Sequence, residues 1–121
     1  MSQIRATTIS DAAGTGPITL TGQSAAKAYC IYRSSITPLV EFETFNVSSI
    51  VDNAVGSQNV NFSNAWQSAD SYLVLGNSSW RGMANPEVWT STYVLIYTTD
   101  TNFGTLGDRT RVYLSFDGDL A

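Results

Sequence analysis

The 121 residues fit one domain, with 43% hydrophobic and only 13% charged side chains, a size that buries roughly two-thirds of its unfolded surface. Ten acidic residues against six basic ones give a net charge of −4 with no Lys/Arg run, which leaves nucleic-acid binding without electrostatic footing. There is no histidine and one cysteine, so Ser-His-Asp and Cys-His catalysis, histidine pH switches, zinc sites and an intramolecular disulfide are removed together.

In chain order, residues 1–24 are rich in Thr, Ser, Gly and Ala, with Ala13-Gly14-Thr15-Gly16-Pro17 separating two short β-type runs at 4–9 and 18–21. Their apolar content is too thin for a core of their own. They read as an extended N-terminal arm that orders only against a partner surface, the alternative being a flexible tail. The start lacks a charged stretch followed by an apolar run, and no segment reaches ~18 consecutive apolar residues, so neither a signal peptide nor a membrane helix is expected. The globular domain is expected over 25–121.

Residues 25–33 read as its first strand, with Ala28, Cys30 and Tyr32 on one face and Cys30 as a small buried hydrophobe. Pro38 marks residues 34–38 as a loop, because it lacks the donor that a central strand needs. Residues 39–45 resume as strand, with Val40 and Phe42 on one face and Glu41 and Glu43 on the other. A solvated face explains these two glutamates better than a general acid/base pair does.

Residues 45–51 and 58–62 are two β-type runs, and the second alternates Asn59 and Asn61 against Val60 and Phe62. The spacer Asp52-Asn53-Ala54-Val55-Gly56-Ser57 is a tight-loop candidate, since Asp, Asn and Gly tolerate positive φ. A third run, 72–75, ends at Gly76, and the stretch reads as a meander or a hairpin plus strand. Residues 77–86 then form an irregular connection that places Trp80, Arg81, Met83 and Asn85 among small polar residues. An exposed Trp beside Arg and Asn is the usual composition of a binding hot spot. The structural alternative is that Trp80 caps the core or wedges between subunits.

Residues 88–98 are expected to form the longest strand, apolar on both faces and therefore central or packed on another subunit. A turn-rich loop at 99–108 leads to a last strand at 109–116, with Val112, Leu114 and Phe116 inward. Asp117-Gly118-Asp119 and Asp52-Asn53 are oxygen-rich, but ordinary turns carry such residues, and no metal or cofactor is expected. No window has helical apolar spacing. The expectation is an all-β, antiparallel sandwich or jelly-roll-like domain of about seven strands. Low charge leaves few devices against edge pairing, so the edges are expected to be covered by neighbours in an oligomer.

The segment FNVSSIVDNAVGSQNVNFSNAWQSADSYLV, starting at Phe45, resembles a module of bacteriophage virion proteins, chiefly tail fibres of marine and cyanobacterial phages. That module typically reads FNVSSITDNGTGDYTVNF followed by a short Ala/Asp/Tyr segment. It is preceded by an AKAW-type run, where this chain has Ala26-Lys27-Ala28-Tyr29. The resemblance covers residues 25–75, and departs at Ala54-Val55, where the module has Gly-Thr, and at Tyr29, where it has Trp. It implies a non-enzymatic virion structural protein of the tail-fibre or receptor-binding type, assembled in the host bacterial cytoplasm. A capsid decoration or cement protein is the alternative, and a soluble hydrolase has no supporting constellation. The resemblance further implies a homo-oligomer, specifically a trimer, whose arm meets other virion proteins. Trp80, Arg81, Met83 and Asn85 would then contact a host glycan or protein, or another subunit.

Overall fold

A computed structural model describes residues 27–79, 82–100 and 104–120. Among them are eight strands and no helix: β1 (Ala28–Arg33), β2 (Val40–Phe45), β3 (Val47–Ala54), β4 (Ser57–Phe62), β5 (Tyr72–Ser78), β6 (Ala84–Trp89), β7 (Tyr93–Thr98) and β8 (Val112–Gly118). They form two four-stranded sheets, ordered β2-β1-β8-β5 and β3-β4-β7-β6, with every pairing antiparallel. The expected arm at 1–24 lies outside the described residues.

The core follows from the period of two. Alternate residues of the four central strands are buried: Ala28, Cys30 and Tyr32 of β1, Gln58, Val60 and Phe62 of β4, Val94, Ile96 and Thr98 of β7, and Val112, Leu114 and Phe116 of β8. These faces meet between the sheets, and each large apolar side chain so buried contributes about 1.5–3 kcal/mol. Across the gap the Tyr32 hydroxyl donates to Gln58 Oε1 at 3.2 Å, while Gln58 Nε2 has no hydrogen-bond partner among the described residues.

The chain changes sheets at sharp, chemically marked points. Between β2 and β3 a single residue, Asn46, makes the corner at φ 53°, a left-handed conformation that Asn tolerates better than most residues. Its Oδ1 accepts from both the backbone N and the Nδ2 of Asn64, each at 2.8 Å. The β3–β4 hairpin is tighter than the six-residue spacer suggests: β3 runs to Ala54, which pairs with Ser57, and only Val55 and Gly56 turn. Gly56 stands at φ 69°, and a Cβ there would lie 2.6 Å from Gly107 N and Thr98 O. Only glycine fits.

Three sequence expectations change. The run 88–98 is not one strand but the β6–β7 hairpin, broken at 90–92. Thr90 Oγ1 accepts from Thr92 N at 3.2 Å and Tyr93 N at 2.9 Å, and donates to Tyr93 O at 2.9 Å, so one hydroxyl organises the turn. β7 does sit centrally, as its apolar content implies. Second, β5 continues through Gly76 to Ser78, and it pairs with β8 in the opposite sheet rather than with β4. Gly76 does not break the strand. It lets β6 pass close, since a Cβ there would meet Ala84 O at 2.6 Å. Third, the last strand begins at Val112 and not at Arg109. The Arg109 backbone instead bonds Ser34 and Ser35, its N donating to Ser34 Oγ and its O accepting both amides.

One end of the sandwich is closed by aromatic rings. Residues 63–71 cross from β4 to β5, and Trp66, 1% exposed, lies beneath them. Its backbone N donates to Ser91 O of one sheet's hairpin, and it bridges to Leu120 beyond β8 of the other. Its ring stacks on Tyr72 at 4.7 Å and meets Phe62 edge-on at 5.4 Å, while Phe62 also meets Phe116 edge-on at 5.0 Å.

Candidate functional site

Of the residues singled out in the 77–86 segment, Trp80 and Arg81 lie outside the described residues. The rest of that segment is less irregular than its composition suggests, because Asn77 and Ser78 belong to β5 and residues 84–86 to β6. Met83 is exposed, yet its backbone is fixed: its N donates to Thr99 Oγ1 at 3.2 Å and its O accepts from Thr99 N at 3.0 Å. Gly82 packs against Ser78 Oγ, Thr99 O and Arg109 Nε. The Arg109 guanidinium, 7% exposed, donates to Thr99 O. Asn85 is half-buried and pairs with Tyr97 inside the sheet. Met83 is thus an exposed side chain on a rigid base, whereas Asn85 is an ordinary strand position.

Glu41 and Glu43, expected together on one solvated face, do not share a face. A β-bulge in β2, where Ile31 pairs with Glu43 but Tyr32 pairs with Glu41, puts the two glutamates on opposite faces rather than one. Glu41 Oε1 accepts from Ile50 N of the other sheet at 2.9 Å, and Glu43 Oε1 accepts from the Tyr29 hydroxyl at 2.8 Å. That second bond, helped by desolvation and the carboxylate charge, holds the Tyr29 phenol above its ordinary value. Asp52 is also held above its ordinary value, by burial and by the nearby Asp108. Asp108 Oδ1 in turn accepts from Gly56 N at 2.8 Å, pinning the hairpin tip. Among the described residues, no three His, Cys, Asp or Glu side chains gather in a metal-binding group. Asp52-Asn53 and Asp117-Gly118, expected as turns, are instead the ends of β3 and β8, where Asp52 pairs with Gln58 and Asp117 with Leu73.

The feature that stands out is the outer face of the β2-β1-β8-β5 sheet. Cross-strand rows align Phe45, Tyr29, Ser115 and Leu75, and next to them Glu43, Ile31, Tyr113 and Asn77. The same β2 bulge turns Phe42 outward, where the Arg111 guanidinium lies 4.6 Å over its ring. The large apolar groups here are strongly exposed: Phe42 47%, Phe45 53%, Leu73 52%, Leu75 61% and Tyr113 42%. Tyr29 and Phe45 stack at 5.8 Å. Between β1, β8 and β5 lies a shallow groove of about 350 Å³ lined by Tyr29, Ile31, Leu75 and Tyr113 among others.

The other sheet's outer face differs. Its rows carry Ser49, Asn61 and Tyr93, then Val51, Asn59, Leu95 and Val88, then Ser57, Tyr97 and Asn85, a mixture of hydroxyls and amides around half-buried Tyr93, Leu95 and Tyr97. In the sequence, two-sided apolar character stands out at 88–98. The signal for the apolar face was the run Tyr72-Leu73-Val74-Leu75, apolar at every position, together with Tyr113 between two inward residues.

Comparison with protein-family models, curated proteins and solved structures gives no match to this chain.

Proposed function

We propose that the protein is a non-enzymatic structural module of a bacteriophage virion, of the tail-fibre or receptor-binding type, acting as a homo-oligomer. The observation that carries this reading is the stretch 45–62, whose sequence resembles the phage virion module. In this chain it forms the corner at Asn46 and the whole β3–β4 hairpin, with its Asp-Asn-x-x-Gly run at the turn. The low charge and the exposed apolar face add support, because both suit a subunit that spends its life inside an assembly. In this reading the oligomer is a trimer, residues 1–24 hold it to other virion proteins, and the loop with Trp80, Arg81 and Met83 turns toward a host glycan or protein.

The test is location. Virions produced from the genome that encodes this chain are purified, and the protein is sought by mass spectrometry and by immunogold labelling. Gold on the tail is the expected outcome. Gold over the head shell would move the protein to the decoration or cement class, and particles without it would overturn both.

A further inference from the structure

We infer that the outer face of the β2-β1-β8-β5 sheet is a homophilic interface, covered in solution by the same face of a second copy of this chain. The inference rests on the homo-oligomeric part of the reading above and replaces its trimer by a pair, because a two-fold face-to-face contact closes at two copies. Area is the first argument. With large side chains of ~150–250 Å² each and five of them about half exposed, the face presents on the order of 500 Å² of apolar surface. That is near the top of the ~300–600 Å² found on an ordinary monomer, and well over half of the ~800 Å² each partner gives to a standard interface. The polar rim supplies the rest.

Charge selects the partner. Arg33 and Arg111 stand at one end of this sheet, beside the Tyr32–Val112 pair, while Asp117, Asp119 and Lys27 stand at the other, beside the Ala28–Phe116 pair. A copy turned end over end therefore sets a net positive end against a net negative one, at both ends at once. Such two-fold self-complementarity is what an isologous contact requires. A nucleic acid or an anionic lipid surface would need cations in excess, and on this face Arg33, Arg111 and Lys27 are matched by Asp117, Asp119 and Glu43 of the β2 edge, within a chain of net charge −4. Both edge strands contribute exposed apolar groups, Phe42 and Phe45 from β2 and Leu73 and Leu75 from β5. The face thus spans the full sheet, as a flat partner of the same width would demand.

The test uses the full chain at micromolar concentration. Light scattering is expected to give twice the mass of one chain, and three times that mass would overturn the two-fold contact. Leu75→Glu and Phe45→Ser should each fall to the mass of one chain with an unchanged circular dichroism spectrum. Val51→Glu, an exposed position on the other sheet, should keep the oligomer. A readout without substitution is chemical modification of tyrosine, in which Tyr113 should be protected in the oligomer. A monomeric wild-type chain, folded Leu75→Glu or Phe45→Ser variants that still associate, or a Tyr113 modified as fast as free tyrosine would each overturn the inference. A monomer that nonetheless labels virions would sink this interface and leave the virion reading standing. An oligomer joined by this face but absent from virions would do the reverse.

Discussion

Replacing Trp66 by alanine removes the ring that closes one end of the sandwich. The side chain is 1% exposed, stacks on Tyr72 at 4.7 Å and meets Phe62 at 5.4 Å. Large aromatic-to-alanine changes in cores cost about 3–5 kcal/mol, depending on how far the site can collapse. Here collapse is limited, because Phe62, Tyr72 and Phe116 already hold one another at 5.0, 5.7 and 6.4 Å. The loss should therefore lie in the upper half of that range, a large share of the ~5–15 kcal/mol that keeps an ordinary domain folded. At about 4–8 °C per kcal/mol for a domain near 100 residues, the melting temperature should fall by roughly 16–40 °C. Urea unfolding followed by far-ultraviolet circular dichroism measures it, with all variants at one protein concentration because association contributes to apparent stability. Trp89→Ala is the control, since Trp89 is 42% exposed beside Tyr72 and Leu73 and should cost under about 1 kcal/mol. A Trp66→Ala loss no larger than the control's would refute the account of Trp66 as the closing wedge.

Gly56→Ala forces a side chain into the left-handed region and against Gly107 N and Thr98 O, which should cost about 2–3 kcal/mol in the same unfolding assay. A loss below a few tenths would mean that the hairpin tip relaxes freely. Thr90→Val keeps the shape but deletes the hydroxyl that bonds Thr92 N, Tyr93 N and Tyr93 O. A cost of about 1–2 kcal/mol is expected, and a neutral result would show the β6–β7 turn to be set elsewhere. Stability should also fall in alkali. Burial pushes the Tyr72 phenol up to about 12, and burial first of all also raises the Tyr32 phenol and the Cys30 thiol. The fold therefore favours their neutral forms. Their contribution is complete below the unfolded values, near ~8.5 for a thiol and ~10 for a phenol, and is lost as pH rises toward the folded ones, at about 1.4 kcal/mol per unit for each group. Unfolding midpoints taken from pH 8 to 11 test this, with Cys30→Ala expected to delay the onset. A flat profile would contradict it.

Local alternation carried most of what sequence could reveal. β4 and β8 are legible because Asn59 and Asn61, or Tyr113 and Ser115, flank inward apolar residues, and the buried set of β1 follows from Ala28, Cys30 and Tyr32. The β6–β7 break was hidden because Thr90, Ser91 and Thr92 have the composition of a strand, and the turn depends on where one hydroxyl points. The sheet assignment of β5 was hidden for a different reason. Nearness in sequence favours β4 as its neighbour, but Trp66 and the crossing at 63–71 deliver it to the far sheet, where it pairs with residues about 40 positions away. The β2 bulge is the most consequential miss. By slipping one residue it separates Glu41 from Glu43 and adds Phe42 to the apolar outer face, and no periodic pattern announces such a slip.

The same geometry bears on how copies of the chain can join. Sequence composition suggests that strand edges go unguarded for want of charge, yet three of the four edges carry guards. β2 has its bulge with Glu41 and Glu43, β3 has a bulge beside Asp52, and β6 has Pro86, Glu87 and a bulge. Each twists the edge, removes a donor or adds a charge that a pairing strand would have to desolvate. The fourth edge, β5, is approached closely by β6 where Gly76 lies against Ala84 O. Strand addition would build open-ended, register-tolerant assemblies, and these devices oppose it. The outer face of β2-β1-β8-β5 has no comparable guard at its centre, where Tyr29, Ile31 and Tyr113 lie on β1 and β8, while its charges, Glu43 among them, stand on the edge strands and at the strand ends. Association through a face is closed once the face is covered. The sequence thus spends its few charges where open-ended pairing would begin, and withholds them where a closed, face-to-face contact would form.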